Sequence, residues 1–312
     1  MRVLFIGSGE LACPALRKLS NSVADEIVAV VSQPDRPKGR RRRLAPCPLK
    51  QVAEELGLPV IAPESINAEE VLGEIARLAP DLIVVAAYGQ FLGKRLLSIP
   101  KSGAINIHPS LLPRYRGAAP IQWALINGDR YTGVTILFVA EEMDAGDIIL
   151  QERSEILPDD TSATLSPRLA EQGAEMLLAA MDMFRDGAVN AIPQDEQRVV
   201  LAPKLSKADG RIDFGMPSDD IANRVRGMYP WPCCFCVDPD GERLRILMAR
   251  AEAGEGAAGE LIAISEEGPL VAAGEGAVRF LRVQPSGKRP MSGGDYCNGH
   301  RVRVGARMCS SD

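Results

Sequence analysis

Short apolar runs alternate with amphipathic stretches through the first half of the chain. The run VLFI at residues 3–6 is followed by a Gly-Ser-Gly turn and then by a helix-like stretch, residues 10–19. The same pattern predicts strands at 27–31, 59–61, 82–86, 104–107, 132–139 and 148–151, and helices at 68–78 and 161–185. Strands that alternate with helices are typical of a mostly parallel sheet covered on both faces. The pattern therefore predicts an α/β domain.

The pattern changes after Gly187. A polar stretch with a proline, NAIPQDEQ at residues 190–197, begins a predicted linker that extends to residue 207. Beyond it, short β-like runs at 244–248, 259–263, 269–272 and 278–283 are separated by Gly, Pro and Glu, which favours a small all-β barrel. We therefore predict a first domain over residues 1–189, a linker over 190–207 and a second domain over 208–312.

Composition is consistent with two folded domains. The 312 residues are 46% hydrophobic and 25% charged, and the net charge is -5 at pH 7. No apolar run approaches the roughly 18 residues of a membrane-spanning helix, and residues 3–6 are too short for a secretory signal, so we expect a cytoplasmic protein without a membrane partner. The seven cysteines contain no C-x-x-C pair. We expect reduced thiols, without disulfide or zinc.

Two basic islands interrupt this acidic chain. Residues 35–50 contain seven basic residues against one acidic residue, including four successive arginines, and residues 282–307 contain six against one. Pro34 precedes the arginine-rich part of the first island, and Pro37 and Gly39 lie within it, so we expect that part to be a mobile loop without regular helix or strand. An isolated charge run is usually a solvated surface, and a nucleic-acid contact is the alternative.

The turn Gly7-x-Gly9-x-x-Ala12 has the form of a dinucleotide-binding fingerprint. A nicotinamide site also needs an acid at the end of the second strand, but that strand ends with VVSQ at residues 30–33, and Asp35 lies in the basic island. We therefore favour a tight strand-to-helix turn at this position over a nicotinamide site.

Three polar side chains follow predicted strands. Asn106 and His108 alternate along one strand and so point to the same side, at the carboxyl end where open α/β sheets bind ligands. Asp144 follows a later strand in the loop MDAGD, residues 143–147, and its carboxylate can orient the imidazole. A lone histidine at a strand end is more often structural. Together, however, an amide, an imidazole and a carboxylate suit direct group transfer between two bound substrates.

Several motifs resemble those of one family. The stretch SLLPRYRGAAPIQ at residues 110–122 resembles the signature of the methionyl-tRNA formyltransferases. QPDRPKGR (33–40), VAAYG (85–89), KLSK (204–207), YPWP (229–232) and QPSGK (284–288) are similar in order and spacing. The resemblance implies a Rossmann-like formyltransferase domain joined by a linker to an OB-like barrel. It also implies formyl transfer from 10-formyltetrahydrofolate to methionyl initiator tRNA, without a metal.

The resemblance assigns roles to individual residues. Asn106, His108 and Asp144 match the family's catalytic trio. The implied folate contacts are Ser110, Leu111, Leu112, Pro113, Tyr88, Gly89, Gln90, Phe91 and Leu92. The implied tRNA contacts are Arg36, Lys38, Arg40, Arg41, Arg42, Arg43, Lys204, Lys207, Lys288 and Arg289. The sequence departs from common family residues at Ser8 and Gly9 (often Thr-Pro), at Pro109 (often a small residue) and at Tyr115 (often Trp).

Two rival functions share part of this pattern. One is a related folate-dependent formyltransferase that acts on a small amine, such as a sugar nucleotide or glycinamide ribonucleotide. The other is a non-catalytic tRNA-binding protein. A small acceptor gives no reason for four successive arginines, and a non-catalytic protein gives no reason for the trio. The sequence therefore favours an enzyme that acts on tRNA, and we expect it to be a monomer.

Overall fold

The structure is a computed structural model that describes residues 1–38, 43–300 and 302–310. The chain divides into two compact units. We call the first the N-terminal unit, which consists of Met1–Pro120, Thr132–Glu155 and Ser166–Ala202. The C-terminal unit consists of Ile121–Tyr131, Ile156–Leu165 and Pro203–Asp312.

Strands and helices alternate before residue 203. The described strands are β1 (Arg2–Gly7), β2 (Glu26–Val31), β3 (Arg36–Lys38), β4 (Arg43–Ala45), β5 (Val60–Ile61), β6 (Leu82–Ala86), β7 (Ala104–His108), β8 (Arg114–Gly117), β9 (Tyr131–Phe138), β10 (Ile148–Glu155) and β11 (Val200–Ala202). The α-helices are α1 (Cys13–Ser20), α2 (Pro48–Glu55), α3 (Glu69–Leu78), α4 (Lys94–Leu97), α5 (Pro120–Ile126) and α6 (Ser162–Arg185). Short 3-10 helices span Glu10–Ala12 and Glu196–Arg198.

The central sheet has the strand order β10-β9-β7-β6-β1-β2-β5. The pairs β5–β2, β2–β1, β1–β6 and β6–β7 are parallel, and β7–β9 is antiparallel. This confirms the predicted mostly parallel sheet. All five residues of β6 are buried, as expected for a central strand covered on both faces. From β1 the chain builds outward in both directions, so the topological switch point, where open α/β sheets bind ligands, lies between β1 and β6.

Helix α3 illustrates how the sequence covers this sheet. Val71, Leu72 and Ile75 share one face and are buried, and each such side chain stabilises the fold by about 1.5–3 kcal/mol. Acidic residues occupy the first turn, where they complement the helix dipole. Ala79 ends the helix in the left-handed conformation, with φ 45°.

The first basic island contains an antiparallel hairpin, β3–β4, so the expectation of no regular strand is wrong for its described residues. Arg36 pairs with Ala45, and Pro37 pairs with Leu44. In a two-stranded ribbon every strand is an edge strand, and edge strands tolerate proline because an outward-facing N–H is not needed for pairing. Arg40, Arg41 and Arg42 lie outside the described residues.

The predicted linker contains defined backbone contacts. Ile192 forms an antiparallel bridge with Ile148, and β11 runs parallel to β8. Residues up to Ala202 group with the N-terminal unit. The division into residues 1–189, 190–207 and 208–312 stays a prediction.

An antiparallel sheet organises the C-terminal unit. Its strands are β12 (Cys234–Val237), β13 (Arg243–Glu252), β14 (Leu261–Ser265), β15 (Gly268–Ala272), β16 (Ala277–Pro285) and β17 (Met291–Ser292). They follow the order β12-β13-β16-β15-β14, with β17 paired to β16. The predicted β-structure is confirmed, while closure into an OB-like barrel stays a prediction.

The sequence pattern predicts no helix after residue 207, but the described residues there include two α-helices, α7 (Ser218–Met228) and α8 (Gly293–His300). Helix α7 buries Ile221, Val225 and Met228, a spacing that is visible in the sequence. Helix α8 has no such pattern. Its first two residues, Gly293 and Gly294, lie so close to the carbonyl oxygens of Phe280 and Glu266 that a side chain would collide with them.

Candidate active site

Asn106, His108 and Asp144 meet at the carboxyl end of β7. Asn106 Nδ2 donates a hydrogen bond to Asp144 Oδ1 at 3.2 Å, and His108 Nδ1 lies 3.5 Å from Asp144 Oδ2. The His108 ring is almost fully buried, and the Asp144 side chain is 12% exposed. The structure thus brings the predicted trio together, and its catalytic role stays a prediction.

A backbone carbonyl fixes the His108 ring. Nε2 lies 2.9 Å from the carbonyl oxygen of Tyr115, and since a carbonyl only accepts, Nε2 carries the hydrogen. A further proton on Nδ1 would therefore make the ring a cation beside the Asp144 carboxylate. The sequence alone predicts only Asp144 as the group that orients His108.

The loop that carries Asp144 is held tightly. Asp144 has φ 54°, a conformation that residues with side chains rarely adopt, and its Oδ2 accepts a hydrogen bond from the Gly117 N–H at 2.9 Å. A Cβ at Gly146 would lie only 1.8 Å from the carbonyl oxygen of Phe138, so this position requires glycine. The carboxylate is thus oriented before any substrate binds.

The turn after β7 adapts to Pro109. The Ser110 N–H donates to the His108 carbonyl oxygen at 2.9 Å, and the Ser110 hydroxyl donates to the Arg114 carbonyl oxygen at 2.7 Å. Thr135 Oγ1 in turn donates to the Ser110 carbonyl oxygen at 2.7 Å. Pro109 is therefore compatible with a compact turn that continues directly from the His108 strand.

The predicted folate contacts differ in exposure. The Ser110, Leu112, Tyr88 and Leu92 side chains are buried, Leu111, Pro113 and Gln90 are half-buried, and Gly89 and Phe91 are exposed. Gln90 Oε1 accepts a hydrogen bond from the Ile66 N–H, so its amide supports the neighbouring loop. Burial raises the pKa of Tyr88 to about 12, which keeps its hydroxyl protonated. Among the described residues this buried hydroxyl has no hydrogen-bond partner. Folate contact at these residues stays a prediction.

A cleft of about 520 Å³ lies at the switch point between β1 and β6. Its lining includes Ser8 and Gly9 from the turn after β1, Tyr88 and Gly89 from the segment after β6, and Arg36 from the hairpin. The Ser8 hydroxyl donates to the Ala87 carbonyl oxygen at 2.8 Å, which ties the two sides together. The basic hairpin therefore borders the same edge of the sheet as the predicted folate segment.

The predicted tRNA contacts that the structure describes with side chains are all exposed. They are Arg36 and Arg43 in the N-terminal unit, and Lys204, Lys207, Lys288 and Arg289 in the C-terminal unit. Lys38 lies in β3, and Arg40, Arg41 and Arg42 are outside the described residues. Contact with tRNA stays a prediction for all ten.

The cysteines are free thiols, and Cys233, Cys234, Cys236 and Cys297 are buried.

One group of metal-ligating type, Asp238, Asp240 and His300, lies in the C-terminal unit. The Asp238 carboxylate already accepts hydrogen bonds from the Asp240 and Glu242 N–H groups and from the Tyr296 hydroxyl, which accounts for its burial. These contacts explain Asp238 and Asp240 as parts of a stabilised turn.

No helix in the described residues is both long enough and apolar enough to cross a membrane. The longest, α6, has 24 residues and contains Pro167 and several charged side chains.

Family models identify the chain as a formyltransferase. A family model described as "Formyl transferase" matches residues 1–181, and "Formyl transferase, C-terminal domain" matches residues 204–301. Among solved structures, WlaRD, a sugar 3N-formyl transferase crystallised in the presence of dTDP and 5-N-formyl-THF, has a TM-score of 0.67 at 15% identity. The match covers 93% of this chain and 99% of that one, and shows the fold.

Curated relatives narrow the class. The chain is 41% identical to the methionyl-tRNA formyltransferase of Citrifermentans bemidjiense, over 100% of this chain and 98% of the relative. It is 42% identical to that of Geotalea uraniireducens, over 100% and 99%. The chain belongs to the methionyl-tRNA formyltransferase family.

Proposed function

We propose that Asn106, His108 and Asp144 catalyse transfer of a formyl group from 10-formyltetrahydrofolate to the amino group of methionyl initiator tRNA, for translation initiation. The observation that carries the proposal is the Asp144 carboxylate, which accepts hydrogen bonds from Asn106 Nδ2 and the Gly117 N–H and lies 3.5 Å from His108 Nδ1. An amide, an imidazole and a carboxylate in contact supply both a donor for an oxyanion and an acceptor for a proton.

The trio divides the work of the reaction. The uncharged α-amine attacks the formyl carbon, the new C–N bond forms, the bond from carbon to N10 breaks, and N10 gains a proton as the amine loses one. Among the described residues Asn106 Nδ2 donates only to Asp144, so its second N–H is available to the formyl oxygen as negative charge develops there. Asp144 accepts the amine proton, directly or through water.

His108 contributes through its fixed ring. Because Nε2–H is committed to the Tyr115 carbonyl, only the Nδ1 edge faces Asp144. Held in this orientation beside the Asp144 carboxylate, the ring helps to stabilise the oxyanion that develops on the formyl group. No covalent enzyme intermediate and no metal are required.

The same edge of the sheet suits both substrates. Tyr88, Gly89 and Phe91 follow β6 next to the strand that carries Asn106, and an exposed aromatic ring such as Phe91 offers a flat apolar contact for the donor. Arg36 borders the cleft beside them, and the same basic island contains the four successive arginines Arg40–Arg43, whose charge suits an acceptor-stem phosphate backbone.

The remaining assignments follow from this reaction. Exposed Lys204, Lys207, Lys288 and Arg289 would hold the tRNA backbone from the second domain, residues 208–312, and from the linker, residues 190–207. We place the protein in the cytoplasm, where translation occurs, and expect a monomer.

The deciding experiment supplies purified protein with 10-formyltetrahydrofolate and one of three acceptors: methionyl initiator tRNA, methionyl elongator tRNA or a sugar-nucleotide amine. We expect formylmethionine with the initiator tRNA, much less with the elongator tRNA and none with the sugar. Preference for the sugar amine would support the small-acceptor alternative, and binding without transfer would support a non-catalytic protein.

Prolonged chelation should leave the rate of formyl transfer unchanged, whereas a loss of rate that zinc restores would contradict the metal-free mechanism.

A further inference from the structure

A second layer of polar contacts holds the main chain at Asp144 and at Gly146, two residues further along. Gln194 Nε2 donates to the carbonyl oxygen of Asp144 at 2.7 Å and to that of Gly146 at 2.8 Å, while Gln194 Oε1 accepts from Arg116 Nε at 3.0 Å. Two carbonyls require a donor and a guanidinium requires an acceptor, so these partners fix the orientation of the amide. Gln194 therefore ties the Asp144 loop to Arg116.

Arg116 is itself fixed by an ion pair. Its side chain is 4% exposed, and its two terminal nitrogens donate to the Glu196 carboxylate at 3.1 and 2.7 Å. The guanidinium lowers the pKa of the Glu196 carboxyl. This fork leaves Nε to face Gln194, so the position of the guanidinium is determined from both sides.

The strand that carries Arg116 also contacts the trio directly. Tyr115, one residue before, supplies the carbonyl that holds His108, and Gly117, one residue after, supplies the N–H that holds Asp144. The strand therefore reaches Asp144 by two routes. Gly117 contacts the Asp144 carboxylate directly, and Arg116 contacts the Asp144 main chain through Gln194.

Building on the proposed function, we propose that Gln194 and Arg116 are positioning residues that aim the Asp144 carboxylate, and that the segment from residue 192 to residue 202 braces the active site. Asp144 has a left-handed backbone, which persists only where its surroundings determine it. Gln194 holds the carbonyls of residues 144 and 146, while the bridge of Ile192 to Ile148 holds the loop beyond them. Loss of the amide frees the backbone that sets the carboxylate's direction.

The first test compares two glutamines of the same segment. Gln194→Ala should lower kcat for formyl transfer by about 10- to 100-fold, with KM for both substrates changed less than about twofold. Gln197→Ala is the matched control, because Gln197 is exposed and its backbone N–H, not its side chain, donates to Asp195. It should keep the wild-type kcat. An unchanged kcat in Gln194→Ala would overturn the inference.

A near-isosteric variant separates hydrogen bonding from packing. Gln194→Glu keeps the volume and an acceptor for Arg116 but faces two carbonyl oxygens with an oxygen, so kcat should fall at least as far as in Gln194→Ala. Wild-type turnover in Gln194→Glu would mean that side-chain volume is all that matters, and the positioning role would be rejected. If Gln194→Ala does not fold, Gln194→Met replaces it in the comparison of kcat, because methionine has a side chain of similar length without the amide.

The decisive measurement is whether the effect of Gln194→Ala on the rate depends on the presence of the Asp144 carboxylate. On an Asp144→Asn background, Gln194→Ala should cost less than about twofold in single-turnover rate, because the group that it aims is already lost. If Gln194→Ala lowered the single-turnover rate by the same factor in the wild-type protein and in Asp144→Asn, the inference would be overturned. If Asp144→Asn alone retained normal turnover, the proposed function of the trio would fail instead, so the two failures are distinguishable.

Discussion

The end of β7 and the hairpin β3–β4 lie in the same unit but are held in different ways. At β7, His108 is 4% exposed, and Asp144 accepts hydrogen bonds from a side chain and from a backbone N–H. At the hairpin, Leu44 is 70% exposed, and Arg36 contacts Gln33 at 3.4 Å. The first region has fixed side chains, and the second presents its side chains to solvent.

The two tasks call for this difference. Transition-state stabilisation needs donors fixed at the place where charge develops, because a donor that must reorient during the reaction contributes less. Attraction to phosphates acts over a Debye length of about 10 Å at 0.1 M salt and depends mainly on charge. Changes in the first region should therefore affect turnover, and changes in the second should affect the salt dependence of tRNA binding.

Asp144→Asn should have the largest effect. The amide keeps the shape but removes the negative charge beside His108 and the acceptor for the amine proton. We expect turnover to fall by at least about 10³-fold, as measured by single-turnover formylation at saturating tRNA. The variant should keep its circular dichroism spectrum and melting temperature. Near-normal turnover in the folded variant would rule out the proposed role.

Asn106→Ala comes next. A donor aimed at an oxyanion is typically worth about 2.7–4 kcal/mol, so turnover should fall by roughly two to three orders of magnitude. The loss should appear in kcat, with KM for folate and tRNA nearly unchanged, since the amide acts in the transition state. A raised KM at constant kcat would show that Asn106 binds substrate instead.

The contact between Asn106, His108 and Asp144 was predictable, because these polar residues lie at or after the ends of strands and the motif at residues 110–122 is long. Their catalytic role stays a prediction. The Tyr115 carbonyl and the Gly117 N–H were not predictable, since every residue has a backbone and no residue type marks the one that is used. Gln194 lies in a polar stretch without periodicity, which by itself predicts a linker. Only the folded structure shows that its side chain contacts the main chain of Asp144.

The hairpin and α8 were missed for a related reason. Pro37 argues against a strand, but a two-stranded ribbon accommodates it. Helix α8 begins with two glycines and depends on close approach to the backbone of Phe280 and Glu266, so tertiary contacts override local preference there. Local patterns therefore predicted the strands of the large sheets better than these two short elements.

Gly146→Ala tests how tightly the first region is held. The added methyl group would lie 1.8 Å from the Phe138 carbonyl oxygen, so the loop must move and displace Asp144. A displacement of about 1 Å typically costs about 100-fold in rate. Gly73→Ala is the control, because no described atom other than its chain neighbours and the backbone of its own helix lies within 4 Å of the added methyl group, and α3 has an ordinary conformation there. Equal turnover in the two variants would show that the loop tolerates movement.

Replacing Arg40–Arg43 with alanine tests the second region. Each lost duplex phosphate contact should reduce the log–log salt slope of tRNA binding by up to about 0.9, while KM for 10-formyltetrahydrofolate stays within about twofold. Lys101→Ala, at an 83% exposed side chain, should leave the slope unchanged. Wild-type tRNA affinity and slope in the alanine variant, or a defect mainly in folate binding, would contradict the assignment.

Cysteine replacement should have the smallest effect, because transfer between two amines needs no thiol nucleophile. Burial raises the pKa of Cys13 to about 11, so this thiol stays protonated and unreactive at neutral pH. Burial also raises the pKa of Cys297. Cys13→Ala, Cys47→Ala and Cys297→Ala should each keep kcat within about twofold, even where loss of a packed side chain lowers the melting temperature. Measured beside Asp144→Asn in the same single-turnover assay, complete loss of turnover in any folded cysteine variant would mean that the reaction uses a thiol, and the division between the trio and the rest of the unit would have to be redrawn.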